Sequence, residues 1–137
     1  MALLMLVSIA SALSSSEKTV IESISVSTLQ KQDCIMYSNA EVGWDNNLKL
    51  WVIPTGSDQT TLLQMMGAVM GVYTAIYNNY PNIGDLTVYT GKKGSEAGEM
   101  TCYKSWISTK DHWNFDESDT ADLMTIAMKM LGTFKQY

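Results

Sequence analysis

Over residues 19–29 (TVIESISVSTL) apolar and small polar side chains alternate, with Ile24 and Val26 on one side and Ser23, Ser25 and Ser27 on the other. This period of two predicts a β-strand. Residues 34–39 (CIMYSN) and 48–53 (LKLWVI) predict two more, joined through Gly43, Trp44, Asp45, Asn46 and Asn47, where Asp and Asn favour a turn. Pro54, Thr55, Gly56 and Ser57 stop the third strand, and Thr55 or Ser57 stands ready to cap a helix.

That helix is expected over 58–79. No charged residue occurs over 59–84, so the helix is apolar on every side and must be covered on every side. Gly67 and Gly71 have the spacing that allows close helix approach, and they are expected to give clearance to a strand or to the second helix. The apolar part falls short of the roughly 18–20 residues needed to cross a bilayer. Asn78, Asn79 and Pro81 break the helix. Two strands follow, at 86–90 (LTVYT) and 100–107 (MTCYKSWI), separated by a Gly- and Lys-rich loop over 91–98 that is expected to be exposed and mobile. Leu123, Met124, Ala127, Met128, Met130, Leu131 and Phe134 recur at helical spacing and predict a last helix over 119–134.

The order β-β-β-α-β-β-α predicts an α+β fold: a two-layer sandwich with a mainly antiparallel sheet of about five strands and two helices on one face. At 137 residues the chain has room for a single domain, expected over 17–137. Residues 1–16 (MALLMLVSIASALSSS) are expected to be a signal peptide or N-terminal anchor, with cleavage after Ala12 where Ala10, Ser11 and Ala12 supply small residues. This segment is the chain's one expected link to a membrane, and it places the protein outside the cytoplasm, secreted or in the cell envelope.

Cys34 and Cys102 are the only cysteines, and an even count behind an export-like leader predicts a disulfide between them. With a single His and no other thiol, a protein-only structural zinc site is not expected, nor is any other metal or cofactor. All nine basic residues are Lys, against fourteen acidic ones. The net charge of −5 and the absence of Arg argue against nucleic acid as a partner.

Strand parity supplies the candidate site. With Leu48, Leu50 and Val52 facing the helices, Lys49, Trp51 and Ile53 face away. The same parity places Cys34, Met36, Met100 and Cys102 inward and Ile35, Tyr37, Thr87, Tyr89, Thr101, Tyr103, Ser105 and Ile107 outward. Tyr37, Lys49, Trp51, Tyr89 and Tyr103 then define a binding face for a protein, peptide or glycan, or for a second copy of the chain. A homodimer is also compatible with the charge-free helix. No catalytic residue is nominated, because there is no G-x-S-x-G elbow and no P-loop or dinucleotide spacing. The favoured expectation is a non-catalytic exported binding domain. The alternative is a small hydrolase-like enzyme using His112 and the acidic segment 111–122.

Overall fold

The computed structural model describes residues 12–137. The apolar run of the expected leader lies outside the described residues. Leu13 packs in the core, and Ser14 caps the first helix, α1, Ser15–Gln30. Ser14 Oγ accepts the Glu17 N–H at 3.1 Å while the Glu17 carboxylate accepts the Ser14 N–H at 2.9 Å, a reciprocal capping box.

This helix replaces the strand expected over 19–29. Its buried residues are Ile21, Ser25 and Leu29, four apart along one stripe, whereas Val20 and Ile24 face outward. The serine alternation misleads because Ser25 is a core residue: its hydroxyl donates to the Ile21 carbonyl at 2.7 Å, so burial leaves no polar atom unpaired.

β1 (Ile35–Val42) and β2 (Leu48–Pro54) form an antiparallel pair. Their connection holds Asn46 at φ 67°, and the Asp45 carboxylate accepts the Asn47 N–H at 3.1 Å. α2 (Gln59–Asn79) follows, capped by Asp58, whose carboxylate accepts the Thr61 N–H. It carries the chain back to the starting end of β2, so β3 (Leu86–Thr90) runs parallel to β2. β4 (Gly98–Cys102) returns antiparallel.

The chain then leaves the sheet. Residues 104–107, expected to extend the last strand, form a short helix, α3 (Lys104–Ile107), held at its start by the Lys104 N–H donating to the Asp85 carboxylate at 2.8 Å. α4 (Glu117–Leu131) ends before the expected 134, and β5 (Lys135–Gln136) adds a short edge to β4.

Among the described residues five strands form one open, mixed sheet in the order β1-β2-β3-β4-β5, and the fold is a two-layer α+β sandwich. It differs from the expected order in opening with a helix, in its parallel β2–β3 pair, and in placing three long helices over the sheet where two were expected. Leu48, Leu50, Val52, Leu86, Val88 and Cys102 are fully buried on the helix side. The glycines of α2 do not provide the expected clearance: a Cβ at Gly67 or Gly71 would meet no heavy atom within 4 Å. No helix among the described residues is long and apolar enough to cross a membrane.

Candidate functional site

The sheet face turned away from the helices is built by cross-strand register. Asn39, Trp51, Tyr89 and Glu99 stand opposite one another across β1 to β4 and form one row. Glu41, Lys49, Thr87 and Thr101 form a second, and Tyr37 pairs with Ile53. Residues directly opposite share a face, so Tyr37, Lys49, Trp51 and Tyr89 of the expected site come together. The Trp51 and Tyr89 rings stack with centroids 5.1 Å apart and planes 18° from parallel.

Tyr103, the fifth expected member, does not join them. It stands at the N-terminus of α3, exposed, with its ring edge-on to Trp106 at 5.1 Å. Ile107 is fully buried in the core for the same reason, since the helix that begins at Lys104 turns it inward. Ile35 is likewise buried instead of outward: an irregularity in register between Ile35 and Tyr37 swings Met36 out to 68% exposure.

The β3–β4 loop is exposed over residues 92–95, as expected, and is laid across this face. Gly91 and Gly94 adopt φ of 116° and 92°, left-handed backbone that glycine supplies without steric cost, and they fold the loop back on the sheet. The Glu96 carboxylate accepts the Trp51 Nε1–H at 2.9 Å and the Gly94 N–H at 2.8 Å. Lys93 reaches Glu41 at 2.5 Å with its ammonium 5.3 Å from the Trp51 ring centre, and Lys92 lies 5.7 Å from that of Tyr37. Trp51 is consequently only 4% exposed despite facing away from the helices.

The electrostatics follow the contacts. The hydrogen bond from Lys93 holds the Glu41 carboxyl below its ordinary range, and the Gly94 N–H followed by the Trp51 indole does the same for Glu96. Burial, then the nearby Glu99, Glu96 and Glu41, pushes the Tyr89 phenol up. Parity reasoning missed Glu41, Lys93 and Glu96. The available signal is the chemistry of Trp51 itself, since an indole N–H that is buried needs an acceptor within reach.

The expected disulfide is not formed; both cysteines are free. Cys34 precedes β1 at the end that faces Pro54, whereas Cys102 pairs with Leu86 at the opposite end of the sheet. Three strand spacings, roughly 14 Å, separate β1 from β4, well beyond the ~5.5 Å between Cα atoms that a bridge requires. Common inward parity does not bring two side chains together. Burial pushes the Cys102 thiol up to about 12, so it stays protonated at neutral pH.

His112 is exposed, next to the buried Trp113. The Asn78 side chain binds both the N–H and the carbonyl of Trp113, each at 2.7 Å. The acidic segment beside it is occupied with structure. Asp116 caps α4 by accepting the Asp119 N–H, while Asp119 accepts the Asn114 N–H at 2.6 Å and pairs with Lys110, which also meets Asp122 at 2.7 Å. Among the described residues no group of three or more His, Cys, Asp or Glu side chains is arranged to hold a metal ion.

No family model, curated protein or solved structure matches this chain.

Proposed function

We propose that this protein is an exported or cell-envelope binding domain, non-catalytic, that acts through the outer face of its sheet on a protein, peptide or glycan, or on a second copy of itself. The observation that carries the reading is the convergence of Tyr37, Lys49 and Tyr89, around a Trp51 covered by the β3–β4 loop, on a face that no helix among the described residues covers. The half-buried Tyr37 and Tyr89 rings beside Lys49 offer both stacking and hydrogen-bonding surface, the mixture that recognises sugar rings and peptide side chains. Export is supported by the apolar, small-residue-terminated leader that closes on Ala10, Ser11 and Ala12.

The test is a screen of an immobilised oligosaccharide and peptide panel, run alongside sedimentation over a wide range of protein concentration. Tyr37→Ala and Lys49→Ala remove half-buried side chains from the face. Each is expected to weaken the detected interaction at least tenfold while leaving the unfolding midpoint within about 2 °C of the parent. Retained binding in both variants, or no ligand and no self-association in the parent, overturns the reading.

A further inference from the structure

Near the Thr90 end of β3, the helix layer and the sheet leave between them a cavity of about 270 Å³. Leu62, Met65 and Met66 of α2 form one side, Met100 of β4 the floor, and Leu131 of α4 with Phe134 the other side. The remaining lining residue is Thr90, whose hydroxyl already donates to the Gly98 carbonyl at 3.4 Å. With that hydroxyl turned to the Gly98 carbonyl, no polar side-chain atom of the lining faces the cavity.

Its far wall is fixed from behind. A Cβ at Gly98 would stand 2.7 Å from the Phe134 ring, so glycine is what lets the ring seat against β4. On one side of Phe134, Thr133 Oγ1 accepts the Thr101 N–H at 2.8 Å; on the other, the Tyr137 N–H donates to the Ala97 carbonyl at 2.9 Å. Leu62, Leu131 and Phe134 are 36%, 42% and 43% exposed, so the cavity opens to solvent between them. An enclosed apolar cavity of about 150 Å³ accepts benzene, and this one, open at its mouth, has room for a longer hydrocarbon. Methionine side chains on two of its walls adjust to the shape of what enters.

We infer that this cavity binds the hydrocarbon part of a small amphiphile, an alkyl chain of about octyl length, with the polar end left in water at the mouth. The site is separate from the outer sheet face and stands or falls independently of it.

Titration of the full chain with 1-octanol, followed by NMR of ¹³C-methyl methionine, tests the inference. The methyls of Met65, Met66 and Met100 are expected to shift saturably while those of the exposed Met124 and Met128 do not. 1,8-Octanediol, which must bury a hydroxyl, is expected to bind at least tenfold more weakly. Leu131→Trp fills the mouth from an exposed position and is expected to weaken octanol binding at least tenfold. Thr90→Val keeps the shape and is expected to leave octanol affinity equal or higher. The inference is overturned if octanol shifts none of the three methyls, if it shifts Met124 and Met128 alike without saturation, or if the diol binds equally well. It is also overturned if Thr90→Val abolishes binding, or if protein concentration alone shifts the same methyls, which would place a second copy over the mouth.

Discussion

Gly67 and Gly71 are interior residues of a 21-residue helix, and neither has a neighbour that a methyl group would strike. Glycine costs a helix roughly 0.5–1 kcal/mol against alanine when nothing else requires it, because the unfolded chain gives up more freedom there. Gly67→Ala and Gly71→Ala are therefore each expected to stabilise the protein by about that amount, read as a higher urea midpoint with unchanged slope. A loss of stability would mean that the small-residue stripe packs against something in solution. At this scale the sequence was partly legible. It placed Trp51 and Tyr89 on one face because a period of two depends only on the pleat, but it did not show that Trp51 is covered, because the acceptor for its indole, Glu96, lies 45 residues further along. The cysteines show the same limit: parity fixes the side of the sheet and says nothing about distance within it.

β2 and β3 were legible because apolar residues alternate there over a fully buried inner row, and α2 because its apolar run is too long for a strand. α1 was hidden by serine. A serine that returns its hydroxyl to its own helix occupies a core position that hydropathy assigns to solvent, and the misplaced alternation then concealed the capping box at Ser14. The same helix protects the sheet. β1 is an edge strand, and two of its N–H groups that point away from β2 are already taken: that of Val42 by the Glu22 carboxylate at 2.7 Å and that of Ala40 by the Asn39 side chain at 2.8 Å. Occupied donors cannot template pairing with another chain. The double variant Glu22→Ala/Asn39→Ala is expected to acquire concentration-dependent self-association in sedimentation that the parent lacks at this edge, and to lose about 1.5 kcal/mol or more of stability with the charged acceptor. An unchanged sedimentation profile would show that the edge is guarded by strand geometry alone.

Across the described residues, carboxylates lock the pieces that the core does not hold. Asp58 caps α2, Asp119 ties the 110–114 loop to α4 through Lys110 and the Asn114 N–H, and Glu41 and Glu96 hold the β3–β4 loop over the outer face. All four are held below their ordinary values of 3.8 for Asp and 4.5 for Glu, with hydrogen bonds to the ionised form as the leading cause. When the folded state ionises more readily than the unfolded one, the unfolded chain takes up protons first as pH falls. The stability these groups supply is then fully present above the ordinary values and drains away as pH drops through and below them. Lys93 and Lys110 are shifted up by the same pairs, so their share is present below the ordinary 10.5 and is lost only in stronger alkali. The urea midpoint is accordingly expected to be level from about pH 5 to 9 and to fall steeply below about pH 4. Asp119→Asn, which leaves the outer face untouched, is expected to lower the plateau and flatten the acid limb. Glu41→Gln with Lys93→Met is expected to flatten the limb as well, and in addition to raise acrylamide quenching of Trp51 in a Trp44→Phe/Trp106→Phe background, where the remaining Trp113 is buried, because the loop loses its anchor to β1. If quenching of Trp51 is the same in parent and variant, the Glu41–Lys93 pair is not what holds the loop over that side chain, and the Glu96 contact to the indole suffices.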